Sequence, residues 1–282
     1  MELSYLDAVI LGIVEGLTEY LPVSSTGHLT ITEKLLGLRI DNPTVTGYTA
    51  TIQIGAIAAT LLYFWKDIVR LLKAWVSGLR DASVRNHDYT LAWAVIAGSI
   101  PVGIVGFFGR HLIEGPLRSL WVVAAALIVW SFAMWFAEIV YGRRVAAGQE
   151  RGEDDVTIRD GVILGLVQCL SLVPGVSRSG ATISAGLFAG INRVVATRLS
   201  FFMAIPALTA AGLFGLKDVD TAIIPIGPMI VGVVVSFVVA YASIAWLLRF
   251  VAHNSLRAFI FYRLAIGAIL MVVLGAGWMA AT

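Results

Sequence analysis

Residues 11–28 read LGIVEGLTEYLPVSSTGH, and residues 164–181 read LGLVQCLSLVPGVSRSGA, aligned without a gap at an offset of 153. Seven positions are identical: Leu11/Leu164, Gly12/Gly165, Val14/Val167, Leu17/Leu170, Val23/Val176, Ser24/Ser177 and Gly27/Gly180. Thr18/Ser171 and Thr26/Ser179 are chemically alike. Apolar matches mean little in so hydrophobic a chain, so the weight falls on the Gly and Ser pairs. Each copy lies in an apolar region, 6–38 or 161–192, that Pro, Gly, Ser and Thr interrupt in the middle. Such a region reads as two short helices joined by a polar turn, a re-entrant hairpin. Irregular backbone is tolerated at membrane depth only where protein or a water-filled cavity surrounds it.

Outward from the two copies, six stretches have the ~20 mainly apolar residues that a membrane helix needs: about 47–65, 90–109, 119–141, 197–216, 222–248 and 258–280. Three follow each copy, an odd number, so the second half enters the membrane upside down relative to the first. The expected fold is an all-α polytopic membrane protein of six transmembrane helices and two re-entrant helical hairpins, arranged as an inverted-topology repeat. It forms one integral membrane domain over 1–282, with repeat 1 at about 1–141, repeat 2 at about 158–282 and a linker at about 142–157.

Composition points the same way. Of 282 residues 59% are hydrophobic and 13% charged, and the mean hydropathy is +0.87. A soluble domain carries roughly 25% charged residues, which sets soluble enzyme folds aside. Twenty Lys and Arg against eighteen Asp and Glu are too even a balance for a nucleic-acid partner. Cys169 is a lone thiol in an apolar run, without the partners of a disulfide or a multi-cysteine metal site. The first basic residue is Lys34, so the early apolar stretch is not expected to be a cleaved signal.

Segments 66–89, 142–160, 193–198 and 249–257, taken as loops of one face, hold thirteen Lys and Arg, against five on the other face (Lys34, Arg39, Arg110, Arg118 and Lys217). The positive-inside rule makes the first face cytoplasmic. Both termini and the mouth of the first hairpin are then expected outside, and the second hairpin enters from the cytoplasm. Trp65, Trp93, Trp121 and Trp278 are placed as interfacial anchors. His87, His111, His253 and the run Glu153-Asp154-Asp155 read as solvated loop surface.

Inverted repeats place a site near the midplane, where their broken helices meet. Here the two tips are Ser24-Ser25-Thr26-Gly27-His28 and Ser177-Arg178-Ser179-Gly180. Each offers hydroxyls and a helix N-terminus, which suit an anion, and Arg178 adds a fork of donors that matches phosphate oxygens. Glu15 and Glu19 are four apart and share a helix face at membrane depth. Two carboxylates there are costly unless a cation holds them ionised or one is protonated. A divalent metal bridging them to phosphate resolves that cost, because Mg²⁺ commonly binds one or two carboxylates plus substrate phosphates. His28 can accept or deliver a proton near neutral pH. The packing reading of such residues is stronger for Gly12, Gly16 and Gly165. It is as strong as a supporting role for Gln53, whereas Arg263 suggests function or a structural pair with an acid such as Glu138.

The stretch Glu15-Gly-Leu-Thr-Glu19-Tyr-Leu-Pro-Val-Ser-Ser-Thr-Gly-His28, with Pro174-Gly-Val-Ser-Arg-Ser-Gly-Ala-Thr182, resembles the two signature motifs of the undecaprenyl pyrophosphate phosphatases of the bacitracin-resistance type. The resemblance spans both halves and extends to Gln53 and Tyr262-Arg263. It implies a bacterial inner-membrane enzyme that removes the terminal phosphate of a polyprenyl pyrophosphate lipid and so recycles the carrier of peptidoglycan synthesis. It also implies dependence on a divalent metal, Mg²⁺ or Ca²⁺, and an active site open to the periplasm. Glu15 and Glu19 carry over as the acidic, metal-holding motif, Ser25 and His28 as catalytic residues, and Ser177, Arg178, Ser179 and Thr182 as the second motif. Ser24, Thr26, Gly27 and Gly180 join the phosphate-binding set. The preferred mechanism has Ser25 attacking phosphorus with His28 as its proton partner. Metal-activated water and His28 itself stand as rival nucleophiles. Self-association is left open. The competing reading is anion transport, for which inverted repeats and an Arg would also serve; a permeant anion, however, gains nothing from two nearby carboxylates.

Overall fold

The computed structural model describes residues 3–40, 42–215, 217, 220 and 224–281. Eleven α-helices run through the described residues: α1 (Tyr5–Thr18), α2 (Ser25–Leu35), α3 (Pro43–Tyr63), α4 (Trp65–Arg80), α5 (His87–Glu114), α6 (Leu120–Ala146), α7 (Ile158–Gln168), α8 (Arg178–Phe188), α9 (Arg193–Gly215), α10 (Ile226–His253) and α11 (Arg257–Gly275). Among these residues the only β pairing is an isolated bridge between Arg151 and Ile191. Six helices, α3, α5, α6, α9, α10 and α11, are long and apolar enough to cross a membrane, as expected of a polytopic membrane protein. The expected end at 216 and start at 222 lie outside the described residues, as do the terminal residues 1, 2 and 282.

The two sequence copies fold alike. Ser4 caps α1 by accepting the Asp7 N–H, and Thr157 caps α7 by accepting the Asp160 N–H; in each case the Asp returns a bond to the cap. These capping boxes are also 153 residues apart and lengthen the repeat beyond its visible core. α1 stops at Thr18 and α7 at Gln168, and a proline, Pro22 or Pro174, follows within a few residues to keep the chain out of helix. The chain restarts as α2 behind Ser24 (φ 79°, ψ 95°) and as α8 behind Ser177 (φ 78°, ψ 120°). Both serines hold a backbone region that side chains other than glycine rarely adopt. Each accepts the N–H three residues on, Gly27 at 3.3 Å and Gly180 at 3.1 Å.

The halves exchange their first helices, since α1 packs along α10 and α7 packs along α5. Glycine sets both approaches. A Cβ on Gly12 would lie 2.7 Å from the Gly232 carbonyl oxygen, and one on Gly165 would lie 2.0 Å from that of Gly98. The packing reading of both glycines is thus the one the structure supports.

Two expectations change on the basic face. The stretch 66–89 is not simply a loop: α4 is an amphipathic helix whose Leu71 and Trp75 join Ile96 of α5 and Phe202 of α9 around an apolar cavity of about 450 Å³. Glu153 is not merely solvated either. It pairs with Arg70 at 3.0 Å and Arg198 at 2.6 Å, and Arg70 reaches Asp88 at 2.5 Å. The linker is thereby tied to α4, α5 and α9. At its other end Arg151 meets Asp160 at 2.6 Å. The pair and the Thr157 hydrogen bonds outweigh burial and hold the Asp160 carboxyl below its ordinary pKa.

Candidate active site

The tips of the two helix pairs touch. Ser24 Oγ, already capping α2, also accepts the N–H of Gly175 from the other tip at 3.1 Å. Ser179 Oγ donates to the Leu21 carbonyl at 3.0 Å in the opposite direction. Arg263 of α11, fully buried, donates to Pro22 O at 3.3 Å, to Gly175 O at 2.8 Å and to Ser131 Oγ at 3.2 Å. One cation therefore holds a carbonyl from each tip. The expected pair with Glu138 does not form: Glu138 binds Arg193 at 2.6 Å and the Leu256 N–H at 2.8 Å. Arg263 instead satisfies carbonyls that have lost their helical partners.

Against this junction lies a buried chain of three side chains. Ser25 Oγ donates to Glu19 Oε2 at 2.5 Å, and Arg178 Nη2 donates to Glu19 Oε1 at 2.8 Å. The second Arg178 arm donates to the Ser200 carbonyl at 2.9 Å, and its guanidinium lies over the Tyr20 ring at 5.7 Å. Tyr20 is fixed in turn by Ala56 O at 2.8 Å and by Thr60. Arg178 Nε is buried without a partner. The N–H groups of Ser25, Thr26, Arg178 and Ser179 meet no acceptor among the described residues, so each helix N-terminus keeps free donors for an anion.

Glu15 is fully buried and both of its carboxylate oxygens lack a hydrogen-bond partner. It lies within electrostatic reach of Glu19 and Arg178. A buried carboxylate in that state needs a cation or a proton. Among the described residues no three His, Cys, Asp or Glu side chains group as a metal cage. An all-oxygen set of two carboxylates, completed by phosphate and water, nonetheless fits the habits of Mg²⁺.

The remaining residues fall into place around this core. His28 Nδ1 faces the Ser24 carbonyl at 2.8 Å, which makes it the N–H side of the neutral ring, and Nε2 accepts from Tyr262 Oη at 2.8 Å. The two rings stack with centroids 5.5 Å apart. In this structure Ser25 thus turns to Glu19, whereas the expected proton partner was His28. Thr182 anchors α8 by donating to Ser200 Oγ at 2.6 Å. Ser177 bonds Ser179 at 3.2 Å. Gly27 and Gly180 lie against their capping serines, where a Cβ would sit 3.3 Å from each hydroxyl oxygen. Thr26 is exposed and outside the buried network, and Gln53 is half-buried on α3 with no side-chain hydrogen bond among the described residues. Tyr262, Ser200 and Gly175 were not singled out as site residues from sequence. Tyr262 stands beside the intramembrane Arg263, and that was the available signal; Ser200 carried none.

Fold and site together define a polytopic membrane protein that builds a buried Ser–carboxylate–Arg centre where two interrupted helix pairs meet. Residues 8–269 match the family model described as "Bacitracin resistance protein BacA", and the chain belongs to that family. It is 56% identical over 272 residues to "Undecaprenyl-diphosphatase 1" of Streptomyces avermitilis, covering 96% of each chain. It is 55% identical to "Undecaprenyl-diphosphatase 1" of Frankia alni, again over 96% of each chain. The "Undecaprenyl-diphosphatase" of Mycolicibacterium smegmatis is 47% identical over 284 residues, with 99% of this chain and 100% of the relative covered.

Proposed function

We propose that this protein is an undecaprenyl-diphosphatase: an integral membrane hydrolase that converts undecaprenyl pyrophosphate to undecaprenyl phosphate and inorganic phosphate, recycling the carrier lipid and giving bacitracin resistance. The observation that carries the mechanism is the Ser25–Glu19–Arg178 chain, a hydroxyl at 2.5 Å from a carboxylate that a guanidinium holds at 2.8 Å.

Ser25 Oγ attacks the terminal phosphorus and gives its proton to Glu19. The bond from that phosphorus to the bridging oxygen breaks, and the electron pair leaves with undecaprenyl phosphate. Water then attacks the phosphoserine, releasing inorganic phosphate and returning the proton to Ser25. Arg178, with its free Nε, and the N–H groups of the two helix ends stabilise charge on the phosphoryl oxygens. His28, stacked on Tyr262, holds the first turn of α2 through the Ser24 carbonyl and serves as the second proton-handling group. Glu15 and Glu19 would hold the divalent ion, Mg²⁺ or Ca²⁺, whose chemistry there is to neutralise the pyrophosphate.

Each helix of the two pairs is 14 residues or fewer, about 21 Å at most, short of the ~30 Å hydrocarbon core. This supports their reading as re-entrant hairpins. The excess of Lys and Arg on the face of α4 and the linker supports a cytoplasmic placement for it, in the inner membrane, with the site open to the periplasm.

The test is phosphate release from farnesyl pyrophosphate by purified protein in detergent. EDTA should abolish it, as should Ser25→Ala, and Arg178→Ala should lower turnover at least about 10²-fold. An Arg178→Ala protein that keeps more than about a tenth of wild-type turnover, a smaller loss than removal of one oxyanion donor causes, removes Arg178 from the site. Folded wild type that releases no phosphate with any divalent ion overturns the hydrolase reading in favour of anion transport.

A further inference from the structure

The offset of 153 that pairs Ser24 with Ser177 pairs Glu15 with Gln168. Both side chains are fully buried, and both have every polar terminal atom unsatisfied: Glu15 Oε1 and Oε2, Gln168 Oε1 and Nε2. A buried amide with neither its donor nor its acceptor met bears the full cost of losing water. That cost is tolerated where something outside the chain supplies the partner.

The packing fixes where the amide points. Gly12 brings α1 against Gly232, and Gly165 brings α7 against Gly98. Glu15 and Gln168 each follow their glycine by three residues, about 300° around the helix. The two side chains therefore leave their helices in equivalent directions. Glu15 neighbours Glu19 of its own tip and lies within electrostatic reach of Arg178, the first helical residue of the second tip. Arg178 is the repeat mate of Ser25, so by the repeat relation Gln168 has the first tip, around Ser25, as the counterpart of Glu15's Arg178.

We propose that Gln168 is a substrate-binding residue whose amide contacts the pyrophosphate from the side opposite Glu15. This rests on the phosphatase reading above. The exchange of Glu for Gln has a chemical reason. A third carboxylate facing the phosphates would repel them, whereas a neutral amide donates through Nε2 to a phosphate oxygen and accepts at Oε1 from a protonated phosphate or a bound water. The first half thus supplies charge to the reaction centre, and the second half supplies neutral hydrogen bonding at the equivalent position.

The test compares wild type with Gln168→Met, nearly isosteric and apolar, and Gln168→Glu, isosteric and charged, as full-length protein in detergent. Calorimetry reads the affinity for inorganic pyrophosphate in the presence of Mg²⁺, and farnesyl pyrophosphate turnover gives KM and kcat. Gln168→Met should weaken affinity and raise KM about tenfold or more, as loss of a hydrogen bond to a charged group does, with kcat within about threefold. Its thermal midpoint without ligand should equal or exceed that of wild type, because an unsatisfied amide has been removed. Gln168→Glu should weaken affinity further. Affinity and KM within about twofold of wild type in both variants, the expectation for an amide satisfied by water, overturn the proposal. So does a lowered midpoint with unchanged KM. If wild type binds pyrophosphate but hydrolyses nothing, the phosphatase reading falls, while the affinities still decide the role of Gln168.

Discussion

Ser24 performs two tasks with one oxygen, capping α2 and accepting the Gly175 N–H of the opposite tip. Ser25 beside it turns away and donates to Glu19. Adjacent serines of one motif are thus turned to different partners, the opposite tip and the Glu19 carboxylate, by the left-handed backbone at Ser24. That distinction was not legible in the sequence, where both hydroxyls stood equally near the tip. The carboxylates, Arg178 and the Gly/Ser pairs were legible, because ionisable groups in an apolar run and repeated small polar residues are costly or informative at membrane depth. Tyr262 was less so, since its partner His28 lies 234 positions away. Tyr262→Phe keeps the stacked ring and removes only the hydroxyl donor. It should lower turnover about fivefold to tenfold, the scale of one ordinary hydrogen bond, without the collapse expected of Ser25→Ala. Steady-state kinetics on the two variants side by side makes the comparison.

Among the elements, the tips depend on backbone shapes that few residues tolerate. Gly175 has φ +102°, and a Cβ there would come within 2.5 Å of the Val123 carbonyl oxygen. Gly175→Ala should destabilise the protein by about 1–3 kcal/mol through backbone strain, with a further contribution from the clash. It should also lower activity by displacing the N–H that Ser24 accepts. A thermal shift in detergent and a turnover assay check both effects. The two helix pairs could be anticipated because Pro, Gly and Ser interrupt apolar runs at matching offsets. α4 was hidden by its own amphipathicity: Lys66, Arg70, Lys73 and Arg80 dominate a loop-charge count, while Ile68, Leu71, Leu72 and Trp75 recur at helical spacing beneath them. Its apolar face packs on α5 and shares the apolar cavity with α5 and α9, a setting that the local sequence does not reveal.

At the scale of the whole molecule, two different cements hold the halves together. On the basic face the linker is gathered by ion pairs that are a quarter to two-fifths exposed at their arginines. Such pairs contribute little individually, about 0–1 kcal/mol, and act as a network. At the centre the joint is buried and directional, made of serine hydroxyls, an N–H, three carbonyls and Arg263. The six spans and the repeat were evident from the sequence because length and hydropathy alone define a membrane helix. The exchange of α1 and α7 between halves was not, because it rests on glycine contacts such as Gly165 with Gly98, across more than sixty positions.

The Arg263 junction bears on how the protein meets its lipid surroundings. Helices that tilt to relieve hydrophobic mismatch would ordinarily drag a midplane site with them. Here the two half-sites are fastened to each other by the Arg263 guanidinium and two serine hydroxyls, and Arg263 joins them to the interior of α6 and α11 through Ser131. Turnover in vesicles of short- and long-chain lipids should differ by less than about twofold, because mismatch costs only fractions of a kcal/mol per Å and little of it reaches the reacting atoms. Arg263→Leu, if it folds, should make turnover depend on chain length, and a wild-type enzyme that loses activity steeply with thickness would refute the idea. On this reading the two half-sites should move as one unit when the membrane around them changes thickness.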